Sequence, residues 1–116
     1  MAIQKFEDII AWQKSQDLAV EVYGHFKDSK DYGFKDQICR ATVSISNNIA
    51  EGFDRGSLAD FKRFLFISRS SCSEVKSMLY LGERLNYLSN EKATYLREQC
   101  SEISKILTGF IKSIKK

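Results

Sequence analysis

A chain of 116 residues that is 43% apolar and 28% charged has the composition of an ordinary globular protein, and residues 1–116 read as a single domain. Roughly two-thirds of the unfolded surface can be buried at this length, enough for one core. The absence of proline fits an all-helical chain, and no segment approaches the ~20 apolar residues of a membrane span.

The first helix is expected from about Asp8 to about Lys27. Phe6 stands just before it as a hydrophobic staple, and Glu7 and Asp8 suit its positive end. Ile9, Trp12, Gln16, Ala19, Tyr23 and Phe26 recur at spacings of three and four, with Leu18 and Val22 widening the stripe. Trp12 reads as core. Residues 27–33 are a polar connection with Gly33 as turn chemistry.

The next stretch carries two conflicting signals. Thr42-Val43-Ser44-Ile45-Ser46 alternates apolar and polar like a strand, yet no second strand-like run could pair with it. Phe34, Ile38, Ala41, Ile45, Ile49 and Phe53 form a helical stripe instead, so a helix is expected from about Phe34 to about Glu51, stopped by Gly52. Its small and polar residues allow close approach by a neighbour. Asn48, at the edge of the stripe, is expected to be at least partly buried with its amide bonded to a neighbouring helix.

Ser57 caps a third helix, from about Leu58 to about Leu85, with Asp60 three residues on. Leu58, Phe61, Leu65, Ser68, Cys72, Val75, Leu79 and Gly82 hold the spacing of a bundle seam. After a short turn, Ser89 or Asn90 caps a fourth helix with a stripe of Ala93, Leu96, Cys100, Ile103, Leu107, Phe110 and Ile114. Four long helices joined by short connections predict an all-α, antiparallel up-down-up-down four-helix bundle.

Catalytic motifs are missing. There is one histidine, His25, no phosphate-binding glycine loop and no paired Glu-x-x-His for a di-metal site. No cofactor or metal is expected, and the chain does not read as an enzyme. Cys39, Cys72 and Cys100 match no zinc or redox spacing, and read as buried free thiols in a reducing compartment. Residues 1–5 lack the apolar run of a secretory leader, so the expected location is cytoplasmic.

Charge is uneven. Residues 1–56 carry seven basic against nine acidic residues, and residues 57–116 carry eleven against six. With Leu58 at heptad position a, Lys62, Arg69 and Lys76 fall at e and Arg63 and Arg84 at f, with Glu83 the one acid on that stripe. The stripe is ~33 Å long, and could follow several phosphates of RNA or DNA. The plainer reading is a solvated face. Lys112, Lys115 and Lys116 extend the basic surface or satisfy the last carbonyls. Positions b and c carry Phe66 and Tyr80, and Ile67 and Leu81, which point away from the seam. A monomer would expose them, so they are the expected interface of a homo-oligomer. Glu51 and Glu74 are the acids that stand out. Glu74, set among apolar positions, reads as a carboxylate paired between helices or subunits, against the alternative of a ligand contact.

Arg40-Ala41, Val43-Ser44-Ile45 and Asn48-Ile49-Ala50-Glu51-Gly52 resemble the signature of the four-helix-bundle family encoded in intervening sequences of bacterial 23S ribosomal RNA genes. Phe6-Glu7-Asp8 with Ala11-Trp12-Gln13-Lys14, Phe61, Arg63-Phe64-Leu65, Ser71 with Glu74, and Tyr87-Leu88-Ser89 extend the likeness over nearly the whole chain. The family often has Pro then Ser where this chain has Ser46 and Asn47. The resemblance implies the bundle and, through a similar pentameric accessory bundle of diversity-generating retroelements, five subunits and a nucleic-acid partner. The alternative is a protein-interaction scaffold that meets an acidic protein.

Overall fold

Three of the four helices begin at side-chain caps. Asp31 Oδ1 accepts from Phe34 N at 3.1 Å, Ser57 Oγ from Asp60 N at 3.1 Å, and Ser89 Oγ from Lys92 N at 3.0 Å. Each satisfies one of the amide groups that a helix start leaves without an intrahelical partner. A computed structural model describes residues 3–115, so Lys116 lies outside the described residues. Within them a short 3-10 turn, Phe6–Asp8, precedes α1 (Ile10–Phe26), α2 (Tyr32–Asp54), α3 (Leu58–Arg84) and α4 (Asn90–Ser113). No strand occurs among the described residues. The strand-like run Thr42–Ser46 lies inside α2: Thr42 and Ile45 are fully buried, and Thr42 returns its hydroxyl to Ile38 O one turn back at 2.6 Å.

Helices adjacent in sequence are adjacent in space, and α1 also meets α4, which closes an antiparallel four-helix bundle. Its extents are 43 × 21 × 19 Å, and the long axis matches the ~40 Å of the 27-residue α3. The core is built from the expected stripes of α2 and α4, and from Phe61, Leu65, Cys72, Val75 and Leu79 of α3.

Four expectations need correction. Leu58 is exposed, because it sits at the first turn of α3 beyond the end of the core. In α1 the buried line is Ala11, Ser15, Leu18, Val22 and Phe26, while Gln16 and Tyr23 face outward. The small Ala11 and Ser15 permit close packing, whereas Gln16, from the edge of the helix, donates Nε2 to Ser46 Oγ of α2 at 3.0 Å and Tyr23 stays exposed. α2 is longer than expected at both ends. Gly33 lies inside it, capped by Asp31, and Gly52 does not stop it. Positive φ falls in the connections that follow α2 and α3, at Gly56 (82°) and at Asn86 (63°).

Candidate functional site

The basic residues of α3 divide into two sets. Lys62, Arg69 and Lys76 are half-buried along α4. Arg69 Nη1 donates to Thr108 Oγ1 at 3.1 Å, which ties the middle of α3 to α4. Arg63 and Arg84 lie on the outer face. Arg63 is 3.5 Å from Asp60 Oδ1 and rests on the Phe64 ring. The e positions flank the seam, so they line a groove rather than an open ridge. Glu83, the acid on that stripe, is taken by α4: Arg97 Nη1 lies 2.8 Å from Oε1 and Asn90 Nδ2 donates to Oε2 at 2.7 Å. These donors, Asn90 first, hold its carboxyl below the usual carboxylate range. The positive charge of the groove is therefore not cancelled by Glu83. From α4, Lys105 adds charge to this surface, while the charge of Arg97 is matched by Glu83. The signal was there in α4's spacing, since Ser101, Ser104 and Lys105 mirror Ser73 and Lys76 across the seam.

The apolar residues expected at an interface are open in the single chain: Phe66 is 42%, Ile67 39%, Tyr80 53% and Leu81 47% exposed. They form two pairs rather than one strip. The pairs stand ~21 Å apart along α3, with Ser70, Ser73, Glu74 and Ser77 between them. Arg69 lies over the Phe66 ring at 4.9 Å, and Arg97 over the Tyr80 ring at 4.1 Å. Leu85 is exposed beyond the second pair.

Asn48 is half-buried, but its amide does not reach a neighbouring helix directly. Nδ2 donates to Ser44 O at 2.7 Å and to Ser44 Oγ at 2.9 Å, both in α2. The link to α3 is relayed. Ser44 Oγ and Ser71 Oγ share a hydrogen bond at 2.9 Å, and Ser71 Oγ also lies 3.3 Å from Ile67 O. A second tie is direct, from Ser68 Oγ to Ile45 O at 2.8 Å. Glu74 accepts from Gln37 Nε2 of α2 at 3.4 Å, a bond between helices. Glu51 faces Arg55 one turn on, at 3.9 Å. Such an exposed pair contributes little.

His25 Nε2 lies 3.0 Å from Tyr87 O, and because a carbonyl only accepts, that nitrogen carries the proton. Cys39, Cys72 and Cys100 are free and buried. Burial pushes the Cys72 and Cys100 thiols up to about 12, against a smaller opposing pull on Cys100 from Lys76. They stay protonated at neutral pH and are poor nucleophiles. Among the described residues no cluster of His, Cys, Asp or Glu could hold a metal ion, and no helix is long and apolar enough to cross a membrane.

A four-helix bundle with a polar α2–α3 seam and a basic α3–α4 groove defines a class of small helical proteins rather than an activity. Residues 7–109 match the family model of the 23S rRNA-intervening sequence protein, and the chain belongs to that family. A solved structure from Bacteroides thetaiotaomicron VPI-5482, described as a protein with unknown function from the S23 ribosomal protein family, is 30% identical, with a TM-score of 0.83. The alignment covers 89% of this chain and 99% of that one. No curated protein matches the sequence.

Proposed function

We propose that this protein is a non-catalytic, cytoplasmic homo-oligomer that binds RNA or DNA along the α3–α4 groove. The observation that carries the reading is the fate of Glu83. With that carboxylate engaged by Arg97 and Asn90, Arg69 and Lys76 have no carboxylate partner among the described residues and keep the middle of the groove positive, with Lys62 on the same line. Phosphate backbones are recognised by such charge without any required base contact. Assembly would use the other flank of α3, where Phe66, Ile67, Tyr80 and Leu81 are open to a second copy. Burying one such side chain is worth ~1.5–3 kcal/mol, so four per subunit suffice to hold an assembly. Five subunits in a ring, joined by a repeated heterologous contact, is the number the family resemblance suggests.

A second reading is a scaffold for an acidic protein partner. The arginines over Phe66 and Tyr80 favour it, since Arg with aromatic anchors dominates protein–protein contacts. Retention of RNA and DNA oligonucleotides across a salt series separates the two. Retention that falls steeply with salt supports the first reading. Absence of binding at low salt removes it, and protein capture that survives nuclease then supports the second.

A further inference from the structure

Between α3 and α4, Cys72, Ser73 and Lys76 face Cys100, Ser101, Ser104 and Lys105 around a surface cavity of ≈ 240 Å³. We propose that this cavity binds a phosphate group, with the Lys76 and Lys105 ammonium groups supplying charge and the hydroxyls of Ser73, Ser101 and Ser104 supplying hydrogen bonds.

The first argument is electrostatic. Lys14, Arg40, Arg55, Arg63, Lys92 and Arg97 each lie within 4.0 Å of a carboxylate oxygen. Lys76 and Lys105 have no such partner among the described residues, and no carboxylate lines the cavity. Two like charges from separate helices line one cavity with no carboxylate among the described residues to neutralise them. A bound dianion would remove that repulsion and bridge α3 to α4.

The second argument concerns the serines. Elsewhere in the helices a sheltered hydroxyl returns to a carbonyl one turn back or finds a partner across the bundle. Ser15 bonds Ala11 O, Ser71 bonds Ile67 O, and Ser68 bonds Ile45 O. Ser73, Ser101 and Ser104 make no hydrogen bond among the described residues, although Ser101 and Ser104 are half-buried. Their donors are left for something that enters the cavity. Hydroxyl and ammonium donors drawn from both walls suit a tetrahedral oxyanion, to which lysine binds as a point charge.

The floor is the third argument. Cys72 and Cys100 are each 1% exposed and close the cavity with neutral, apolar sulfur. Charge interactions above such a floor are screened less than on an open face.

The phosphate could belong to a nucleic-acid backbone or be free. The backbone source rests on the function proposed above, and the free source does not. The test titrates inorganic phosphate into the full-length, isotope-labelled protein at constant ionic strength, following the amide resonances of Ser73, Ser101 and Ser104. Saturable shifts confined to these residues are expected. They should weaken by roughly tenfold or more in Lys76→Gln with Lys105→Gln. Ser104→Asp, which adds a carboxylate that the two lysines can pair with and so keeps the fold, should abolish them, and Lys112→Gln should not. Shifts that are absent, or unchanged in the double variant, would overturn the site. The same variants are then assayed for oligonucleotide retention. If phosphate binds locally but retention is unaltered, the site stands and the backbone source falls. If the wild type retains oligonucleotides but shows no phosphate shifts, the site falls and the nucleic-acid reading survives.

Discussion

Gly52 packs against Phe64 so closely that a Cβ on Gly52 would lie 2.5 Å from the Phe64 Cβ. The contact joins the last turns of α2 to the first of α3, just before the chain reverses at Gly56. Gly52→Ala would gain up to ~1 kcal/mol in helix propensity. The clash is with an atom next to the backbone, so α3 itself must shift, which typically costs ~1–3 kcal/mol. The net expectation is destabilisation, read as a lower urea midpoint at unchanged slope. A stabilised variant would show that α2 and α3 are not this close.

Asn48→Leu should cost no more than about 1 kcal/mol. Ser44 O keeps its helical partner, and Ser44 Oγ still bonds to Ser71 Oγ, so no buried group is stranded. A loss of ~3 kcal/mol in chemical denaturation would mean that the amide reaches another helix or subunit in solution.

Stability should fall at both ends of the pH range. The hydroxyl of Tyr87, 2.6 Å from Asp31 Oδ2, and then the Phe34 amide hold the Asp31 carboxyl below its ordinary value, as Asn90 and Arg97 do for Glu83. The unfolded chain therefore binds more protons as pH drops. This stability is present above the ordinary carboxylate range of about pH 4 and is lost as pH falls through the lower folded values. Tyr87 has the opposite sign. Asp31 raises its pKa, so its share is present below about pH 10 and is lost as pH rises through the folded value. Tyr87→Phe should flatten the alkaline limb of melting temperature against pH and part of the acid limb. An unchanged profile would show that the bond does not form in solution.

Light scattering at micromolar concentration should give a mass above that of one chain. Phe66→Glu with Leu81→Glu should give a smaller, still helical species, because all four outer residues of α3 are exposed in the single chain. A monomeric wild type would end the assembly proposal, and a dimer would end only the fivefold one.

Lys62→Gln, Arg69→Gln and Lys76→Gln together should weaken oligonucleotide retention regardless of sequence and flatten its salt dependence. Arg69→Gln should also lower stability, by about 0.5–1.5 kcal/mol, through the lost bond to Thr108. Full retention by the triple variant would move binding, if any, away from this groove.

The helices, their Ser57 and Ser89 caps and most of the core were legible in the sequence because those signals are local. A cap bonds an amide three residues on, and an apolar stripe repeats within one helix. Tertiary structure decided what depends on a neighbour. α1 carries two overlapping apolar stripes, and the small Ala11 and Ser15 select which one turns inward only once α2 is beside them. Gly52 looks like a stop, but it is a place where Phe64 approaches. The e-position cations look like an open ridge, yet α4 makes them the wall of a groove and supplies Arg97 to Glu83 and Thr108 to Arg69. A helix specifies its own periodicity, but the distance to the next helix is set by side chains on both, and no local pattern contains that distance.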